Sequence, residues 1–73
     1  MRTLAELEIG GRAIVAKVHG EGAIRRRLFD MGITPGAEVY LRKKAPFGDP
    51  IEIAIRGYEL TLRKTEAAQV DIK

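Results

Sequence analysis

Apolar and polar residues alternate along this chain in short runs, and glycine or proline interrupts most of them before they grow long. A period of two places successive side chains on opposite faces of an extended backbone, so each run reads as a half-buried β-strand. In Arg12 to His19, the residues Ile14, Ala16 and Val18 fall on one face and Val15, Lys17 and His19 on the other. Glu38 to Lys43 sets Val39 and Leu41 against Tyr40 and Arg42. Ile51, Ile53 and Ile55 alternate with Glu52, Ala54 and Arg56. Leu60 and Leu62 share a face in Tyr58 to Arg63, and Val70 with Ile72 supplies a closing strand.

One segment departs from this rhythm. Between Ala23 and Met31, the residues Ile24, Leu28 and Met31 recur at helical spacing, which predicts a single amphipathic helix ended by Gly32. Thr34-Pro35-Gly36 predicts a type II turn, because proline fixes φ at the first corner and glycine accepts positive φ at the second. Pro46 to Pro50 is too rich in breakers to continue a strand and is expected as an exposed, stiff loop. Arg56-Gly57 marks a tight reversal, and Thr65 is the expected cap of a short turn from Glu66 to Ala68. Leu4, Leu7 and Ile9, ahead of Gly10-Gly11, are expected to pack as a lid.

With 73 residues there is room for one domain, spanning 1–73, and for one core. A flat sheet of five short strands would leave two edges and an apolar face in water. Curling it into a small barrel buries that face, with Ile24, Leu28 and Met31 of the helix between the first and second strands as the stopper. The expected fold class is therefore mainly β, a five-stranded barrel carrying one α-helix.

Three groups of residues, in this order and spacing, resemble the FeoA family. They are Arg27-Leu28 with Met31-Gly32-Ile33 and Pro35-Gly36; Pro46 with Gly48-Asp49-Pro50-Ile51; and Gly57 with Leu60, Leu62-Arg63 and Glu66-Ala67. The resemblance covers about Leu4 to Ile72. It implies an SH3-like barrel and an accessory role in ferrous iron uptake, exerted on the cytoplasmic, GTPase-containing region of the FeoB transporter. A similar domain at the C-terminus of DtxR-type repressors serves protein contacts, so self-association, as a homo-oligomer, stays open as an alternative. So does nucleic-acid binding, which the net charge of +3 permits. It is not the expected function, because two Phe and two Tyr leave few aromatics for base stacking.

The side-chain inventory argues against an enzyme. There is no cysteine, no serine and one histidine, and the glycines Gly20 and Gly22 lack the lysine and hydroxyl of a phosphate-binding loop. No cofactor is expected and no metal ligand is assigned, since His19 would need Glu6, Glu8 or Glu21 to complete a site. The longest apolar stretch, Ala13 to Ala16, is far short of a membrane span, and the chain is expected to begin near Met1 and remain cytoplasmic.

What remains is a surface for a partner. Arg25 and Arg26 lie toward the outside of the helix, while Arg27 is expected to pair with Asp30 or another carboxylate. Leu28 and Phe29 are adjacent, so one is expected inside and the other at the rim; Phe29 is the preferred anchor. Arg42 and Lys43, continuing into Lys44, could present charge beside Phe47 to an acidic protein surface or lipid headgroups. The same basic strand end serves equally to discourage edge-to-edge pairing. The expected partner-binding set is thus Arg25, Arg26, Leu28, Phe29, Arg42, Lys43 and Phe47.

Overall fold

Each alternating run becomes a strand. The computed structural model describes residues 2–73, so the expected start at Met1 lies outside it. The strands are β1 (Arg12–Val18), β2 (Glu38–Lys44), β3 (Ile51–Ile55), β4 (Tyr58–Leu62) and β5 (Val70–Ile72). All pair antiparallel in the order β4-β3-β2-β1-β5. Helix α1 (Ala23–Asp30) joins β1 to β2, and the single turn α2 (Lys64–Ala67) joins β4 to β5. The five strands wrap one apolar interior in which Val39, Leu41, Ile53, Leu62 and Val70 have no exposed surface. No hydrogen-bonded ladder joins β4 to β5; the outer edge of β5 is covered by the N-terminal segment, through a bridge from Thr3 to Asp71 and the Ile72 N–H donated to Arg2 O at 2.9 Å.

Strict alternation misassigns β1. Ala13, Val15 and Val18 face the core, whereas Ile14 and Ala16 are half-buried on the other side. The register against β5 slips between Val15 and Lys17. One extra residue in a bulge reverses the facing of everything beyond it, so Val15 and Val18, three apart, both turn inward. A second slip lies between Leu41 and Lys43.

The connections follow local chemistry. Ala37 N–H donates to Thr34 O at 3.0 Å across Pro35 and Gly36, and Gly36 has φ +92, the expected type II turn. Arg56 and Gly57 have φ of +49 and +85 between the paired residues Ile55 and Tyr58, as a type I′ hairpin requires. The cap of α2 is not Thr65, which lies within the turn. Glu66 instead reaches back so that its Oε1 accepts the Arg63 N–H at 2.9 Å. Leu4 and Leu7 are buried under the barrel end, but Ile9 is 61% exposed: the 3-10 turn stops at Glu6, and Gly10 and Gly11 are hydrogen-bonded to Leu41 beyond it.

Candidate functional site

Helix α1 contributes little to the core for its length. Leu28 is its only fully buried residue; Phe29 is half-buried against the core together with Met31 beyond the helix end, and Ile24 is 48% exposed. The stopper expected from the spacing is Ile24, Leu28 and Met31; in the structure it is Leu28 with Met31 and Phe29, and Ile24 lies outside it. Eight residues make just over two turns, so a helix tangent to the barrel can aim only one narrow stripe inward.

The end of α1 is held firmly. Gly32 has φ +91, Ile33 N–H donates to Leu28 O at 3.0 Å and Gly32 N–H to Phe29 O at 2.9 Å. This pair of bonds is a Schellman ending, and Ile33 and Leu28, which the first bond joins, are both fully buried in the core. Two residues of the β3–β4 hairpin then take up the neighbouring carbonyls. The Tyr58 hydroxyl donates to Met31 O at 2.5 Å, while Arg56 donates from Nε to Gly32 O at 3.2 Å and from Nη2 to Thr34 Oγ1 at 2.8 Å. Sequence reasoning missed this clamp. Its signal was a non-glycine residue at a two-residue hairpin tip, where a side chain is tolerated at positive φ only when something holds it.

Arg27 is anchored on the other flank. Its Nη1 is 3.0 Å from Glu66 Oε2, so the carboxylate it was expected to find is Glu66 and not Asp30. Glu66 is nearly buried and serves both this guanidinium and the Arg63 N–H, tying α1 to α2. With its C-terminal end clamped and one flank tied to α2, the outer face of the helix is held in place.

On that face the Arg25 guanidinium lies over the Phe29 ring at 4.8 Å, the contact that helical spacing of four residues allows. Arg25, Arg26 and Phe29, with Gly22 and Asp30, line a shallow hollow of about 370 Å³. Among the described residues neither Arg25 nor Arg26 has an ion-pair partner, whereas Arg27, Arg42 and Lys43 each have one. The first turn of α1 holds no acidic residue and no side-chain cap, so its backbone dipole adds to the positive potential there. The arrangement can receive a carboxylate beside an apolar or aromatic side chain, the aromatic floor being kept in place by the stacked arginine.

The remaining expected residues lie elsewhere. Leu28 has no exposed surface and cannot touch a partner; as one of two adjacent helical residues it took the inward position. Arg42 pairs with Glu59 at 2.5 Å and Lys43 with Glu52 at 3.6 Å, across the outer surface of the sheet. Phe47 stands at the tip of the β2–β3 loop, 96% exposed and outside the hollow. His19 Nε2 is 2.6 Å from Asp71 Oδ2, so its carboxylate neighbour is on β5 and is none of Glu6, Glu8 or Glu21. No group of three or more potential metal ligands occurs among the described residues. Among the described residues no helix is long and apolar enough to cross a membrane.

Comparison with known proteins bears on this geometry. The family model described as the FeoA domain matches residues 2–73. A fusion protein of Fe(2+) transport protein A and Fe(2+) transporter FeoB from Porphyromonas gingivalis is 33% identical over 70 residues, covering 96% of this chain but 8% of the fusion. The chain thus spans only a small part of that relative. The NMR structure of a FeoA-like protein from Clostridium acetobutylicum is 44% identical with a TM-score of 0.91, over 97% of this chain and 83% of that one. The zinc complex of FeoA from Stenotrophomonas maltophilia, a prokaryotic SH3 domain protein, is 34% identical with a TM-score of 0.87, over 100% of this chain and 91% of that one.

Proposed function

The chain belongs to the FeoA family, which is associated with ferrous iron transport, and from that premise we propose that it is a non-enzymatic accessory whose α1 face docks on the cytoplasmic, GTPase-containing region of a FeoB-type transporter. The observation that carries this reading is the hollow of Arg25, Arg26 and Phe29. Two guanidinium groups with no ion-pair partner among the described residues stand, with Asp30 also lining the hollow, beside a partly exposed aromatic on a helix that is clamped at both flanks. Rigid presentation reduces the ordering cost of association, and unpaired arginines beside an aromatic are the residue types in which binding energy concentrates. The fusion relative carries a FeoA part and a FeoB part in one chain, where tethering raises their effective concentration for each other.

Docking influences transport only if one conformational or assembly state of the transporter is bound more tightly than another; a tenfold preference shifts that equilibrium by about 1.4 kcal/mol. Any effect on GTP hydrolysis is exerted through the partner's own groups. On this reading the chain works at the cytoplasmic side of the membrane.

Calorimetric titration of the transporter's soluble cytoplasmic region tests the proposal. Arg25→Glu/Arg26→Glu is expected to weaken binding by about tenfold or more, since like charges then face an acidic surface. The unfolding free energy of the variant in urea should hold within about 0.5 kcal/mol, as both residues are exposed. Absence of association in every nucleotide state would refute the docking role.

A further inference from the structure

The β2–β3 loop lies outside the α1 hollow and carries the most exposed large apolar side chain of the described residues, Phe47. We propose that this loop is an anionic-membrane contact, with Phe47 entering the interfacial region of the bilayer and the surrounding lysines meeting lipid phosphates. The loop is built to hold its tip out. Ala45 N–H donates to Pro50 O at 3.0 Å, Gly48 N–H donates to Ala45 O at 2.7 Å, and Asp49 Oδ1 accepts the Lys64 N–H at 2.9 Å. Prolines at 46 and 50 restrict it further. A ring exposed on a braced loop loses little freedom on insertion.

The charge around the loop has the complementary sign. Glu52 is paired with Lys43 and Glu66 with Arg27, while the Asp49 carboxylate keeps its charge and turns back onto the Lys64 N–H at the start of α2. Lys44, Arg63 and Lys64 have no ion-pair partner among the described residues, and Lys44 lines a second hollow of about 280 Å³ against Pro50. A protein hot spot is a cluster of anchors ringed by groups that exclude water. Here the neighbours of the ring in the chain are Pro46, Gly48 and Asp49, and the cations are mainly lysines, which act as hydrated point charges. A single protruding aromatic over dispersed lysines matches the headgroup region, where aromatic rings settle and basic side chains meet phosphate. One ring and three cations give only weak, reversible adsorption, so the loop would orient the domain and leave firm attachment to a second contact.

The chain has no tryptophan, so Phe47→Trp places a sole indole reporter at the tip. Vesicles of equal parts phosphatidylglycerol and phosphatidylcholine, at low ionic strength, are expected to shift its emission to the blue, with quenching by brominated acyl chains. Pure phosphatidylcholine vesicles should leave the emission unchanged. Raising salt to about 1 M, where the screening length falls to about 3 Å, should reverse the shift. Lys44→Gln and Lys64→Gln in the same background should each lower partitioning about fivefold. Co-sedimentation of the unlabelled chain, lost in Phe47→Ser, provides a readout independent of tryptophan. An unchanged emission on anionic vesicles, an equal shift on neutral ones, or a shift seen only with the transporter's soluble region would overturn the proposal. Because no transporter is present in the vesicle arm, its result is separable from that of the docking titration.

Discussion

At Gly32 two constraints coincide. Its φ of +91 suits glycine, and a Cβ built there would lie 2.6 Å from the Tyr58 hydroxyl that caps Met31 O. Gly32→Ala is expected to cost about 2–3 kcal/mol in urea unfolding, combining the left-handed backbone cost with loss of one hydrogen bond. Tyr58→Phe alone should cost about 1 kcal/mol. The double variant should be less destabilised than the sum, since removing the hydroxyl relieves the clash. Glu66 presents the second residue-scale test. Glu66→Ala removes an acceptor for both Arg27 and the Arg63 N–H and should cost about 2 kcal/mol. Arg27→Ala, whose side chain is largely exposed, should cost less than about 1 kcal/mol. Glu6 supplies a pH dependence. The backbone N–H of Thr3, followed by its hydroxyl, holds the Glu6 carboxyl below its ordinary value. A carboxylate depressed in the folded state stabilises the fold above its unfolded pKa of about 4.3, and that stabilisation disappears as pH falls through the lower folded value. The stability difference between the wild type and Glu6→Gln should therefore be constant above about pH 5 and shrink in more acid solution.

Helix α1 divides its residues between support and display. Leu28→Ala should lose about 2–5 kcal/mol, as expected of a buried leucine, while Arg25→Glu/Arg26→Glu should leave the unfolding midpoint nearly unmoved. Denaturant titration of the two variants separates the roles. Strand positions were legible in the sequence because a period of two survives wherever pairing is regular: Ile51, Ile53 and Ile55 all point inward as alternation requires. In β1 the pattern misled, because a bulge is a property of how two strands pair and Arg12 to His19 alone carries no record of β5. The helix was legible in extent but not in facing, since Ile24, Leu28 and Met31 satisfy helical spacing whether or not the barrel surface reaches the first turn. Arg25, Arg26 and Phe29 could be proposed as an exposed group from helix geometry. The clamp by Arg56 and Tyr58, and the Arg27–Glu66 pair, join segments distant in the chain, so beyond the non-glycine Arg56 at the hairpin tip nothing local names the partners.

At the scale of the whole molecule, the barrel interior is filled by its own side chains, so binding work falls to the outside. Two outer regions stand apart: the cationic hollow on α1 and the braced Phe47 loop, with α2 between them through Arg27–Glu66 and Asp49–Lys64. If both proposals hold, one domain meets a protein surface and a lipid surface at the same time, so that two weak contacts reinforce each other. The most direct test of the docking claim is an amide-resolved NMR titration of this chain with the soluble cytoplasmic region of a FeoB-type transporter, at low and at high salt. Chemical-shift changes concentrated in Gly22–Asp30, saturating at low salt and weakened by added salt, are the predicted result. Saturable changes that leave this helix untouched, or none at any salt concentration, would contradict it.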